Sequence, residues 1–205
     1  MAIHVGLEHY TRYSYDRPIR MSPHLIRLRP APHARTPIHK YQLKIEPAEH
    51  HLHWQQDPFG NQIARVIFPE PVTEFVVDVQ LVAEMTVINP FDFFVEEYAE
   101  KFPFEYEPLQ RHELEPYFEK TDNGPLLADW VEGIDLTRRR CVDFLVYINH
   151  KLQQDIGYNI RMAVGIQTCE ETLRMRTGSC RDTAWLLVQI LRHIGLAARF
   201  VSGYL

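Results

Sequence analysis

Cysteine is scarce in this 205-residue chain: Cys141, Cys169 and Cys180 are odd in number and widely spaced. That excludes a disulfide framework and a zinc ribbon, and it points to a reducing, cytoplasmic setting. Long apolar runs are missing too. No window approaches the roughly 20 residues of a membrane span, and residues 1–15 lack the basic start and continuous apolar core of a signal peptide. No membrane partner is expected. Positive charge is nowhere in surplus: residues 1–90 carry nine basic and nine acidic side chains, and residues 121–205 carry ten and nine. Neither flank therefore offers the basic surface that nucleic acid requires. A glycine-rich loop followed by lysine is also lacking, which removes the usual phosphate cradle. Nothing calls for a cofactor.

What is present is ordinary globular material, 45% hydrophobic and 24% charged. Residues 1–90 read as about six strands. Apolar residues alternate over residues 3–7 and at Tyr13 and Tyr15 before a turn at Asp16-Arg17-Pro18. Ile26 and Leu28, then Tyr41, Leu43 and Ile45, then Leu52 and Trp54 continue the pattern. Asp57-Pro58-Phe59-Gly60-Asn61 is a turn signal. The clearest alternation puts Phe75, Val77, Val79, Leu81, Ala83, Met85 and Val87 on one face, in a run long enough to bend or switch sheets. Short turn-rich connections between strands predict an antiparallel β-sandwich.

Residues 91–124 form an acidic, aromatic connector. Within 91–120 lie nine aromatic residues and nine acidic side chains against three basic ones. Its prolines preclude one long helix, and its aromatics preclude a floppy linker, so it reads as short helical turns in a seam between two domains. From residue 125 the period becomes helical. Leu127, Trp130, Val131 and Ile134 make one stripe, and Cys141, Leu145, Ile148, Leu152 and Ile156 make a second, with Arg138-Arg139-Arg140 in that helix's first turn and the acidic connector as the nearest partner by sequence. A short helix capped by Thr168 follows. The next helix is apolar nearly all round and ends at Gly195, and a strand is expected from Ala198 onward.

Chemistry concentrates at Thr177-Gly178-Ser179-Cys180-Arg181-Asp182. Gly178 breaks the preceding segment, Ser179 is an N-cap, and Asp182 three residues later completes a capping-box signature. Cys180 then occupies the first helical position, where free N–H groups, the helix dipole and neighbouring Arg181 favour a thiolate nucleophile. Asp182 reads as a cap and not as a catalytic carboxylate. Tyr158 is a candidate cleft wall, or else a lid on the end of the preceding helix. Cys141 belongs to a core stripe. Cys169, near a helix start but without the placement of Cys180, reads as structural. His51 and His53 share a strand face but lack a third ligand, so no metal site is assigned.

The segments Glu171-Thr172-Leu173, Gly178-Ser179-Cys180-Arg181-Asp182 and Ala198-Arg199-Phe200-Val201-Ser202-Gly203-Tyr204 resemble the first half of a bacterial transglutaminase-like core. Arg27-Leu28-Arg29-Pro30 and Asp57-Pro58-Phe59-Gly60-Asn61 resemble the β-rich domain preceding that core, and Asn89-Pro90-Phe91-Asp92-Phe93-Phe94 resembles a subgroup of longer multidomain chains. The resemblance implies an α+β architecture: an antiparallel β-sandwich (1–90), the connector (91–124) and the helical, cysteine-bearing half of a papain-like core (125–205). It also implies that Cys180 attacks an amide carbonyl of a protein or peptide substrate, with a histidine and an aspartate on following strands as base and orienter.

Neither of those strands is present. The sole histidine after Cys180 is His193, thirteen residues on along one helix, about 20 Å away at 1.5 Å per residue. The expectation is therefore an N-terminal fragment, inactive alone, whose partners include further C-terminal domains of the same chain and whose open edge strand at Leu205 invites dimerisation. The rival expectation is a non-catalytic interaction module with a vestigial cysteine.

Overall fold

The structure, a computed structural model, describes residues 3–204 except 88, 90 and 91. Pro90 at the end of the expected sandwich, Phe91 of the connector and Leu205 of the expected edge strand lie outside the described residues. Two compact units emerge, Met1–Asp92 and Phe93–Leu205. Residues 93–124 belong to the second.

The first unit is built from β1 (Ile3–Ile19), β2 (His24–Ile26), β3 (Ile38–Glu46), β4 (His51–Gln56), β5 (Gln62–Ile67) and β6 (Val72–Met85). They form two three-stranded antiparallel sheets, β1-β6-β3 and β2-β5-β4. Alternation in β6 does what its pattern requires. Phe75, Val77, Val79, Leu81 and Ala83 are all buried, because every second side chain of a strand points to the same face. Residues from both sheets share one core, with Val66 and Phe68 packed among Ile45, Phe75, Val77 and Val79.

Two local expectations change. β1 runs on through Asp16-Arg17-Pro18, taking up the irregularity as a register shift between Ser14 and Ile19 instead of a turn. β6 stays in one sheet as its central strand, with Met85 exposed at its end. The Asp57 turn forms as read. Asp57 Oδ1 accepts from the N–H groups of Phe59 (3.0 Å) and Asn61 (2.8 Å), and Gly60 supplies the positive φ of 79°.

The second unit begins with a 3-10 turn at Glu97–Ala99, β7 (Lys101–Phe102), α1 (Pro108–Glu113) and a 3-10 turn at Glu115–Phe118. α2 (Pro125–Glu132), β8 (Arg139–Arg140), α3 (Cys141–Asp155), β9 (Gly157–Tyr158), α4 (Cys169–Met175), β10 (Thr177–Gly178) and α5 (Cys180–His193) complete it. Aromatic side chains of residues 93–124 pack as the composition demanded: Phe102 stacks on Phe144 at 3.9 Å, and Phe104, Tyr106 and Phe118 follow in edge or tilted contacts.

The core stripe of α3 is Phe144, Ile148 and Leu152, continued by Ile156. Leu145 is exposed and Cys141 half-buried, so the expected stripe was rotated at its start. The arginine run precedes α3 instead of opening it. Arg139 and Arg140 pair antiparallel with β7, Arg139 bonds Asp135, and Arg140 holds Asp143 through two bonds of 2.7 Å. The acidic connector therefore receives backbone pairing, while the guanidinium partners are Asp135 and Asp143. After Gly195 (φ 88°) residues 196–204 form no strand. They are tied down instead by Arg192, which donates to the Ala198 carbonyl at 3.0 and 2.9 Å and to that of Glu119 at 2.7 Å. A strand needs a ladder partner, and this segment has none among the described residues.

Candidate active site

α5 is the central helix of the second unit, packing against α2, α3 and α4. Ser179 is its N-cap. The Ser179 hydroxyl accepts from the Asp182 N–H, while Asp182 Oδ2 accepts from the Ser179 N–H (2.9 Å) and hydroxyl (2.7 Å), closing the capping box. Cys180 is the first helical residue and is exposed. Its placement follows from local chemistry, since the box satisfies first-turn donors that would otherwise fray the helix.

Asp182 is more than a cap. It is fully buried, and beyond Ser179 it accepts from the Gln167 N–H (2.8 Å) and from Arg161 through Nε (2.9 Å) and Nη2 (2.8 Å). Arg161 is the chief cause that holds the Asp182 carboxyl well below the usual carboxylate range, against the opposing effect of burial. Sequence reasoning missed Arg161. No periodicity marks a lone arginine in a loop, although an unbalanced buried carboxylate could have prompted a search for a cation.

Gly178 fits for a steric reason. A Cβ there would lie 3.1 Å from Asp182 Cβ and 3.3 Å from Thr172 Cγ2. Arg181, expected beside the thiol, donates to the carbonyls of Arg161 and Ala163 at 3.4 Å. It therefore fastens the 159–168 loop to the start of α5. β9 and β10 pair in parallel, setting Tyr158 opposite Gly178, and Asn159 N–H donates to the Gly178 carbonyl at 2.9 Å. Tyr158 is exposed there, followed by Ile160, Met162 and Val164, each at least 74% exposed.

The other cysteines differ. Cys169 is also a first helical residue, because Thr168 and Glu171 form a second capping box; the Thr168 cap implied this placement although Cys169 was read as lacking it. It is wholly buried, and burial pushes its thiol pKa far upward. Cys141 is half-buried, its pKa also raised by burial. It lines an apolar groove of about 400 Å³ with Leu145, Ala184, Leu187 and Leu191. A larger hollow of about 860 Å³ lies in the first unit around Arg29, Tyr41 and Trp54. No cysteine, serine or carboxylate lines it, so volume alone does not locate chemistry. His193, at the far end of α5, is bonded to the Asp122 carbonyl at 2.8 Å. Among the described residues no histidine hydrogen-bonds the Cys180 thiol.

Residues 5–84 match the model of the bacterial transglutaminase-like N-terminal region, and residues 129–205 match the transglutaminase-like superfamily. Both regions thus match transglutaminase-like families. A crystal structure of a candidate cysteine protease from Cytophaga hutchinsonii shares its fold, with a TM-score of 0.66 and 14% identity over 95% of this chain. This chain spans 64% of the length of that one. No curated protein matches it. Cys180, its cap Ser179, Asp182 and the bracing Arg161 all lie within the region matched to the transglutaminase-like superfamily. Among the described residues no helix is long and apolar enough to cross a membrane.

Proposed function

We propose that Cys180 is the nucleophile of cysteine-dependent amide chemistry, hydrolysis in preference to cross-linking. Its thiolate would attack the carbonyl carbon of a protein or peptide amide, the C–N bond would break as the leaving amine takes a proton, and water would then cleave the thioester to acid and free thiol. The observation that carries this reading is the contrast among three cysteines. All three start helices, and two of those helices carry capping boxes, yet only Cys180 combines that position with a capping box and exposure. Likeness to a candidate cysteine protease favours water over an amine as second nucleophile. The exposed apolar residues of the 159–168 loop, fastened to α5 by Arg181, suit an extended peptide with apolar side chains.

The general base and its orienting carboxylate are proposed to come from outside the described residues of this unit, since His193 is committed at the opposite end of α5. That no histidine among the described residues hydrogen-bonds Cys180 also favours a second reading, a non-catalytic docking module. Timed iodoacetamide alkylation read by peptide mass spectrometry tests the first. Cys180 should label well before Cys141, with Cys169 last. If Cys180 labels no faster than Cys141, the nucleophile reading fails. Thiol-dependent peptide hydrolysis that appears when residues following Leu205 are included, and that is lost in Cys180→Ser, would exclude the module.

A further inference from the structure

Three side chains far apart in sequence meet on the solvent face of the first sheet. His4 of β1 stands directly opposite Glu84 of β6 in the antiparallel register. On the other side of β6, the ladder pairs Ile38 with Ala83 and Lys40 with Val82, so β3 spends two residues where β6 spends one. His39 is that extra residue. A bulge re-aims the side chain it carries, and His39 Nε2 lies 2.6 Å from Glu84 Oε2. His4 Nε2 lies 3.7 Å from the same oxygen, and the two imidazole centroids are 5.0 Å apart. The Glu84 backbone is pinned by its N–H donating to the Pro37 carbonyl at 2.9 Å.

We propose that His4, His39 and Glu84 bind a divalent transition metal of the zinc class. The three donor atoms all lie within 4.8 Å of one another. Tetrahedral zinc with bonds of about 2.0–2.1 Å needs donors about 3.3–3.5 Å apart, so the 2.6 Å His39–Glu84 contact would lengthen and the 3.7 Å His4–Glu84 distance would close slightly, changes that partly exposed side chains make by rotamer adjustment. Two imidazoles and one carboxylate are a donor set suited to zinc, copper or nickel and poorly suited to calcium or magnesium, which prefer oxygen. Water would fill the fourth position. Because each ligand comes from a different strand of the same sheet, the ion would clip β1 and β3 to β6 at the end where β6 finishes. The site is independent of Cys180.

The test uses the untagged 205-residue chain carrying Cys180→Ser, so that the exposed thiol does not compete for metal. Isothermal titration with zinc should give one site. His4→Ala, His39→Ala and Glu84→Gln should each weaken it about tenfold or more, while His51→Ala/His53→Ala leaves it unchanged. Cobalt(II) should give the visible bands of a tetrahedral nitrogen–oxygen site, and zinc should raise the thermal midpoint of the parent chain but not of His4→Ala/His39→Ala. Far-UV circular dichroism checks that these exposed substitutions leave the fold intact. Undiminished zinc binding in the His4→Ala/His39→Ala chain, loss of binding in the His51→Ala/His53→Ala chain, or no binding in the parent would each overturn the proposal.

Discussion

Arg161 and Asp182 form a two-pronged ion pair, Nε to Oδ2 at 2.9 Å and Nη2 to Oδ1 at 2.8 Å, at the turn that presents Cys180. Asp182 is buried, and its remaining acceptor capacity is taken by Ser179 and Gln167. One carboxylate thus joins the helix that Cys180 begins, its N-cap and the preceding loop.

Removing that carboxylate should be costly. Asp182→Ala strips the guanidinium of its carboxylate, leaving it the Gly165 carbonyl, and takes the acceptor from three further donors, so a loss of about 3 kcal/mol is expected in urea unfolding, in the range for breaking a buried pair. Arg161→Ala should move the midpoint in the same direction. Arg161→Lys should recover only part of the difference, because an ammonium cannot reproduce the two-pronged geometry. A wild-type midpoint in Arg161→Ala would mean that the pair does not brace the turn.

The same pair sets a pH dependence. Asp182 has a depressed folded pKa, with Arg161 as the first cause, so it binds fewer protons folded than unfolded. Its stabilisation is therefore complete above the ordinary aspartate value of about 3.9 and is lost as pH falls from there through the depressed folded value. The stability gap between wild type and Asp182→Asn should be constant from pH 5 to 7 and should shrink progressively below about pH 4. A gap that widens with acid would contradict the assignment.

Gly178→Ala is expected to destabilise by about 1–2 kcal/mol. The new methyl would meet Asp182 Cβ at 3.1 Å, and Asp182 is too firmly bonded to yield. Alkylation of Cys180 should also change rate in this variant, since the shifted turn carries the thiol. Unaltered stability and labelling would show that the turn is softer than its hydrogen bonds imply.

Helix α2 offers a double-mutant test. Its N-cap, Gly124, makes no side-chain cap bond; the Glu170 carboxylate accepts instead from the N–H groups of Leu126 (3.3 Å) and Leu127 (2.9 Å). A Cβ on Gly124 would sit 2.1 Å from Glu170 Cδ. Gly124→Ala should expel that carboxylate and cost about as much as Glu170→Ala, roughly 1 kcal/mol. The two together should cost little more than either alone. Full additivity would refute a shared cap.

Legibility tracked the range of the interactions. The capping boxes at Ser179 and Thr168, the Asp57 turn and the alternation of β6 could all be read, because each is an agreement among residues at most a dozen or so positions apart. The α3 stripe was read one position off. Cys141 and Leu145 have the right spacing, but Phe144 is the side chain that Phe102 stacks upon, and periodicity alone cannot say which of two adjacent apolar rows faces inward. Asp16-Arg17-Pro18 carried turn chemistry that the long pairing with β6 overrode as a bulge. The strand pattern after Ala198 had no ladder to join among the described residues, and Arg192 holds that segment by the Ala198 carbonyl instead.

What the sequence determined by itself is the α+β order of elements and the placement of Cys180 at the first position of a capped helix, because propensity, capping and alternation are local properties. What only the tertiary structure decided is which of three helix-starting cysteines is exposed, that Arg161 braces the turn below Cys180, and that His4, His39 and Glu84 meet. Burial and charge pairing depend on which distant segments are brought together, and a linear spacing does not encode that until the sheets and helices have packed.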